Sequence, residues 1–179
     1  VSGIAIEQTR NSVPGAAFYP LRAAVERTQL NLASNNSDAF VGIELAQRRL
    51  NDLRRVVESN QTKNLSPSIK EFEISVGKAS KELSDLVDKE PEKALQASRE
   101  VVQLQRDKVQ IEQILGTTIG VQESGELELA TKRLVEGELV DLESRSLTEE
   151  QQKLFDEAKR AYEEEDYQTA LEQIWKLLN

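Results

Sequence analysis

Residues 66–88 read SPSIKEFEISVGKASKELSDLVD, and this stretch decides the fold class. Its apolar residues recur every three or four positions, which is the spacing of one face of an α-helix. The pair Ser66-Pro67 supplies a helix cap followed by a proline at the first helical position. We therefore predict a helix from Ser66 to about Asp88, with these residues on its buried face: Ile69, Phe72, Val76, Ala79, Leu83 and Leu86.

The same periodicity continues on both sides of this stretch, and no alternating pattern is long enough for a sheet. Helices of about 22 residues joined by short loops must place their neighbours antiparallel. The sequence therefore predicts an all-α fold, an elongated antiparallel helical bundle with a C-terminal helix hairpin. Besides the quoted stretch, we expect six helices: one at about 19–33, one from Ser37 to about Glu58, one from Pro91 to Gly116, one around 127–142, one after Thr148 and one after Asp166.

The first predicted helix carries apolar residues at alternating spacings of three and four, with Thr28 within the series. Such a stripe is typical of a helix that packs on a core. We expect this face to be buried: Phe18, Leu21, Val25, Thr28 and Leu32.

Three parts of the chain differ in pattern. Residues 1–17 contain glycine, proline and asparagine without apolar periodicity, which predicts an extended lead-in or tether. Residues 18–145 form the predicted bundle. Residues 146–179 form a predicted hairpin docked on it, since Thr148 and Gln151 make a capping box and Asp166 caps a last helix after a short turn.

The composition excludes several kinds of chemistry. The chain has no histidine and no cysteine, so Ser-His-Asp and Cys-His catalysis, thiolate zinc sites and Glu-x-x-His di-iron sites are impossible. No glycine-rich phosphate loop is present either. We expect no catalytic residue, no cofactor and no metal. A carboxylate-only enzyme with glutamate pairs as acid and base is a remote alternative. Weak binding of a cation such as Ca²⁺ is another, and its residues would be Glu123, Glu126, Glu128, Glu163, Glu164, Glu165 and Asp166.

Charge is distributed unevenly along the chain. The net charge is −9, and the whole acidic excess lies after residue 122. An acidic third repels phosphate backbones, so nucleic acid is not an expected partner. The one basic cluster, on the second helix, is interleaved with acidic residues at helical spacings, which favours a solvated face of ion pairs over an anion site: Arg48, Arg49, Arg54 and Arg55.

The opening of the chain resembles that of a bacterial family of extracytoplasmic helical domains of unknown function. Residues 14–22, PGAAFYPLR, are followed by Glu26-Arg27 and Leu30, and residues 44–53, ELAQRRLNDL, contain Ala-x-x-Arg. The family pattern has Leu and Lys where this chain has Phe18 and Arg22. The resemblance, over about residues 11–60, implies a helical domain on the outer side of the bacterial membrane, in the periplasm or at the cell surface, next to an N-terminal membrane helix or signal segment. It implies no active site.

The C-terminal hairpin resembles a single tetratricopeptide unit through Ala158, Tyr162, Tyr167 and Ala170. A solenoid needs about three such repeats for a continuous core, so the resemblance favours a hairpin that closes the fold over a peptide-binding repeat. If the hairpin does bind a partner, the expected contact residues are Tyr162, Tyr167 and Trp175.

The sequence thus predicts a non-enzymatic extracytoplasmic domain for protein interaction, sensing or structure. Its start, Val1-Ser2-Gly3 without methionine, indicates a processed or truncated fragment, so we expect a membrane tether in the full-length protein. The expected partner is another protein or a second copy of this chain. We expect no small-molecule substrate, and we expect attachment to the membrane only through the missing N-terminal segment. A cytoplasmic coiled-coil or tetratricopeptide-like adaptor is the alternative.

Overall fold

The computed structural model describes residues 12–33 and 38–178, which contain seven α-helices and no β-strand. The predicted all-α helical bundle is confirmed. The helices are α1 Tyr19–Ala33, α2 Asp38–Glu58, α3 Thr62–Lys89, α4 Pro91–Leu115, α5 Val121–Glu143, α6 Glu149–Glu163 and α7 Tyr167–Leu178.

Capping chemistry fixes several of these boundaries. Helix α4 begins at Pro91 and ends before Gly116, whose φ of 67° is the left-handed conformation that glycine adopts without strain. At the start of α6, Thr148 and Gln151 form the predicted capping box. At the start of α7, Asp166 Oδ1 accepts a 3.0 Å hydrogen bond from the backbone N–H of Thr169. These ends depend on residues adjacent in sequence, and the sequence predicted them.

Helix α3 begins earlier than the sequence predicts. Its first residue is Thr62, and Pro67 lies inside the helix. The turn before it is closed by Asn60, which takes a φ of 53°, and by a 2.9 Å hydrogen bond from the Gln61 N–H to the Val56 carbonyl. Pro67 lies past the first turn, so it removes one hydrogen bond of the helix, and its ring crowds the carbonyl of Lys63. The prediction of a start at Ser66-Pro67 was therefore wrong by about one turn.

Helix α3 lies against α2, α4 and α5, and its predicted apolar face is buried except Ile69, which is half-buried at the core's edge. Gly42, near the start of α2, approaches Ala79 and Glu82 in the second half of α3, so these two helices are antiparallel. Helix α5 also contacts α3 through a 2.8 Å hydrogen bond that Arg133 Nη1 donates to Ser84 Oγ. The largest fully buried side chains of the bundle are Ile43, Leu50, Leu53, Phe72, Leu83, Leu104, Ile111, Leu127, Leu134 and Leu142.

The hairpin of α6 and α7 shares one continuous apolar core with the bundle, and it packs mainly on α5. Leu171 and Ile174 of α7 are fully buried. Ion pairs connect it at the surface as well: Arg106 of α4 pairs with Glu172 of α7, and Lys159 Nζ lies 3.1 Å from Glu143 Oε1. In the part of the chain that the structure describes, no helix is long and apolar enough to cross a membrane.

The first helix is turned the opposite way from the prediction. Phe18, Leu21 and Val25 are 52%, 57% and 47% exposed, and Thr28 is exposed too. The side chain of Leu32 lies outside the described residues. The face that packs on the bundle carries Tyr19, Arg22 and Glu26 instead. The prediction of an apolar face toward the core was wrong, because charged partners on α2 bind the polar face.

Candidate functional site

Two helices meet through charged side chains at the N-terminal end of the described chain. Arg22 and Glu26 lie one turn apart on α1, and three residues of α2 face them. Tyr19, at the first residue of α1, lies beside them with its ring 5.3 Å from the Arg49 guanidinium carbon. We call this group the polar cluster, and its members are Tyr19, Arg22, Glu26, Arg49, Asp52 and Arg55.

Each carboxylate of the polar cluster accepts hydrogen bonds from more than one arginine. Asp52, which has no exposed surface, accepts from Arg22 Nη1 at 2.8 Å, from Arg49 Nη1 at 2.9 Å and from Arg55. Glu26 accepts from Arg22 Nε at 2.7 Å and from Arg49 Nη2 at 2.5 Å. A charge taken out of water is costly unless it is paired and hydrogen-bonded. Here both carboxylates meet that condition, so the polar cluster fixes how α1 sits on α2.

The pairing changes how these groups titrate. Burial would raise the pKa of Glu26, but its hydrogen bond to Arg49 and the charges of Arg49 and Arg22 lower it below the ordinary value. Burial likewise works against the charged form of Arg49, yet its hydrogen bond to Glu26 raises the pKa of the guanidinium. Burial raises the pKa of Tyr19, and the charge of Arg49 opposes this only in part. Tyr19 therefore remains a neutral donor, and its hydroxyl lies 3.1 Å from Glu71 Oε2.

The segment before α1 is held by the same cluster. The Ser12 carbonyl accepts a 2.6 Å hydrogen bond from Arg22 Nη1, and Val13 is 5% exposed. Gly15 has a φ of 88°, and a Cβ there would lie 2.8 Å from Asn64 Oδ1 on α3. Only glycine meets both conditions, a left-handed backbone and close approach to α3. Residues 12–15 thus lie against the bundle. The sequence predicts instead that they belong to an extended lead-in of residues 1–17.

This arrangement leaves an apolar surface outside. The described side chains of residues 15–28 that are exposed carry no charge, and the one hydroxyl among them, Thr28 Oγ1, donates to the Ala24 carbonyl at 3.0 Å. Three large side chains recur at helical spacing along it. We call this surface the α1 apolar face, and it consists of Ala17, Phe18, Pro20, Leu21, Ala24 and Val25.

The three aromatic residues predicted as partner contacts lie in two places. Tyr162 and Tyr167 meet at the turn between α6 and α7, with ring centroids 5.7 Å apart, and Tyr167 is only 7% exposed. Trp175 is half-buried, with the Arg99 guanidinium carbon 5.4 Å above its ring. The structure therefore does not bring the three together into one surface, and their role in binding stays a prediction.

The acidic residues and the α2 arginines that the sequence analysis names do not form a single site. No three acidic residues in the described ranges form a group that could hold a metal ion. On α2, Arg48 pairs with Glu44 at 2.6 Å on the surface, as expected. Arg49 does not follow the expectation, because it is 4% exposed and belongs to the polar cluster. The i, i+4 spacing of Arg22 and Glu26 was visible in the sequence, but their partners on α2 were not.

The part of the chain that contains the polar cluster matches a known protein family. A family described as Domain of unknown function (DUF5667) matches residues 11–118, from the segment before α1 to the loop after α4. The match includes the whole polar cluster and the α1 apolar face, while α5, α6 and α7 lie beyond it. No curated protein and no solved structure matches the chain. Since the family match spans more than half of its length, this protein belongs to the family of domains of unknown function DUF5667.

Proposed function

We propose that this protein is a non-catalytic protein-interaction domain whose α1 apolar face binds an amphipathic helix of a partner protein. The observation that carries the proposal is the outward orientation of Leu21 and Val25 of α1 and of Phe18 just before it. All three are about half exposed, while the polar side of α1 packs on the bundle. Exposed apolar patches on soluble proteins commonly mark binding surfaces. We propose further that the domain works outside the cytoplasm, tethered to the membrane in its full-length form.

A helical partner suits the spacing of the face. Phe18, Leu21 and Val25 are separated by three and four residues, the pattern with which one helix presents a seam to another. Ala17, Ala24 and Pro20 flank the seam with short side chains, which allow a second backbone to approach closely. Recognition of an amphipathic helix uses apolar anchors at this same spacing.

A bilayer surface suits the face less well. Helices that lie on membranes combine an apolar side with flanking lysine and arginine, which attract anionic lipid headgroups. The exposed described side chains of residues 15–28 include no charged group, and the chain as a whole carries −9. Among the described side chains of α1, none that is exposed would therefore attract an anionic surface, whereas a seam between two helices requires no charge.

The strength of such a complex can be bounded. Complete burial of a large apolar side chain contributes roughly 1.5–3 kcal/mol, so three half-exposed ones offer about 3 kcal/mol on binding. Association itself costs more than that. The α1 apolar face alone would therefore not hold a partner, and a complex requires further contacts on neighbouring surfaces.

Photo-crosslinking in cells that make the full-length protein tests the surface. Benzoylphenylalanine at Leu21 is compared with the same residue at Val140, which is 66% exposed on α5 and serves as the matched control. We expect a protein crosslink from Leu21 only, mapping to an amphipathic helix of another protein. The purified partner should bind the wild type and the Val140→Glu variant equally, and the Leu21→Glu variant at least about tenfold more weakly. Crosslinks to lipid, to a second copy or from both positions alike would contradict the proposal.

The location has its own test. The resemblance of the opening residues to extracytoplasmic domains supports a position outside the inner membrane. We expect protease added to cells with a permeabilised envelope but an intact inner membrane to degrade the domain. Protection that persists until the inner membrane is lysed would contradict that location and favour the cytoplasmic adaptor.

A further inference from the structure

A cleft of about 720 Å³ lies at the C-terminal end of α3, whereas Tyr19 of α1 contacts Glu71 in the first half of that helix. It is bounded by the end of α3, the first turns of α4, the second half of α5 and the end of α7. Apolar side chains form much of its wall, among them Val87, Leu95, Leu134 and Leu178. Its volume falls within the range of pockets that hold small organic ligands.

The charges around this cleft are unequally paired. Both arginines that line it already have acidic partners, since Arg133 pairs with Asp88 and Arg145 pairs with Asp141. Glu92 and Glu138 also line it, and neither has an ion-pair partner within 4.0 Å among the described residues. Burial raises the pKa of Glu138, and the charge of Asp141 adds to this while Arg145 opposes it. A cation placed beside Glu138 would therefore relieve an unfavourable negative charge.

We propose that this cleft binds an amphiphilic organic cation, a small molecule in which an ammonium group is attached to an apolar body. The apolar wall would cover the body, and the carboxylates of Glu138 and Glu92 would receive the ammonium. An organic anion would meet those same carboxylates and would be repelled. The inference is independent of the α1 apolar face, and it concerns a bound ligand where the sequence predicts no small-molecule substrate.

Two glycines of α5 make the proposal sharply testable. Gly137 lines the cleft, and a Cβ built there would have no other atom within 4 Å, so a larger side chain can enter the open space. Gly125 lies three turns earlier on the same helix, also has no atom within 4 Å of a built Cβ, and does not line the cleft. Gly137→Leu thus fills the cleft, and Gly125→Leu is the matched control.

The experiment is an NMR titration of the full chain with 4-phenylbutylamine, in parallel with 4-phenylbutyrate. We expect saturable shifts for the backbone amides of Gly137, Glu138 and Leu95 with the amine, and at least about fivefold weaker binding of the carboxylate, or about 1 kcal/mol. Gly137→Leu should abolish these shifts and Gly125→Leu should retain them. Glu138→Gln should weaken amine binding by about fivefold without unfolding the chain, because Glu138 is only half-buried and the substitution breaks no ion pair.

Several outcomes would overturn the inference. Equal binding of the amine and the carboxylate would show that the carboxylates do not select charge. Shifts that grow linearly without saturation, or that persist in Gly137→Leu, would show that the cleft is not the binding site. Loss of binding in both glycine variants, with the helix content of both unchanged, would show that binding does not depend on the cleft. Circular dichroism of each variant separates this last result from unfolding.

Discussion

Removing the charge of Asp52 should detach the first helix from the bundle. Asp52→Asn keeps the shape of the side chain but removes the anion that Arg22, Arg49 and Arg55 share. Arg49, which is 4% exposed, would keep only Glu26 as an acidic partner. Breaking a buried ion pair by removing one partner costs about 3–5 kcal/mol. We expect the free energy of unfolding to fall by about 3 kcal/mol. It cannot fall by more than the free energy with which α1 docks, because Arg49 returns to water once α1 has undocked.

Urea unfolding followed by circular dichroism measures this loss, and hydrogen exchange locates it. At an m-value of about 2 kcal/mol/M, the midpoint falls by about 1.5 M if the loss is global. If α1 undocks first, its backbone amides exchange faster while those of α3 and α4 remain protected. The control is Asp141→Asn, since Asp141 and its partner Arg145 are both about half exposed, and we expect a loss below about 1 kcal/mol.

A small effect in both measurements would contradict this role of Asp52. If Asp52→Asn costs no more than Asp141→Asn and leaves exchange in α1 unchanged, the polar cluster does not hold the helix. A double-mutant cycle with Arg49→Met adds a second criterion. We expect a coupling energy above about 1 kcal/mol between positions 49 and 52, the range seen for side chains that share a network.

Three further predictions follow from particular residues. The pKa of Glu26 in the folded state lies below its ordinary value of 4.5, so its ionisation stabilises the fold fully above pH 4.5 and no longer does so once the pH falls below the folded-state pKa. The free energy of unfolding, measured as the pH is lowered, should therefore fall more for the wild type than for Glu26→Gln, and an equal fall in both would contradict this. Gly137→Ala should stabilise α5 by about 1 kcal/mol, since nothing lies near the added Cβ, and a lower melting temperature would count against it. Thr148→Ala should cost about 1 kcal/mol in urea unfolding through loss of the capping box at α6, and an unchanged midpoint would disprove a contribution from that cap.

The sequence predicts the helices well because their limits are local. Pro91, Gly116, Thr148 and Asp166 each act on backbone groups within a few residues, so the sequence around them contains the whole cause. The start of α3 was missed for a related reason. Ser66-Pro67 has the form of a helix start, but the turn that precedes α3 is closed several residues earlier at Asn60 and Gln61.

The orientation of α1 could not be predicted in the same way. Periodicity identifies a stripe of apolar residues, but it does not say whether the opposite, polar face has partners elsewhere in the fold. Those partners are Arg49 and Asp52, about thirty residues downstream, and their pairing with Arg22 and Glu26 depends on how α1 and α2 pack. The charges of the polar face can be buried because each of them is paired there, and only the tertiary structure reveals the pairing.

The polar cluster also gives a physical account of the opening residues that carry the family resemblance. Gly15 fits a left-handed turn against α3, Tyr19 donates to Glu71, and Arg22 connects Ser12, Glu26 and Asp52. Arg49 of the Ala-x-x-Arg stretch completes the pairing. These residues therefore serve to place α1, and the surface that they place outward is the one to which we assign binding.

Thiol labelling tests the outward orientation of α1 most directly, because the chain has no cysteine of its own. Leu21→Cys and Leu50→Cys are compared for their reaction rate with a maleimide under native conditions. Leu21 is 57% exposed and Leu50 is fully buried, so we expect position 21 to react nearly as fast as a free peptide thiol and position 50 about a hundredfold more slowly. Protection of position 21 to the same degree as position 50 would contradict the outward-facing apolar surface.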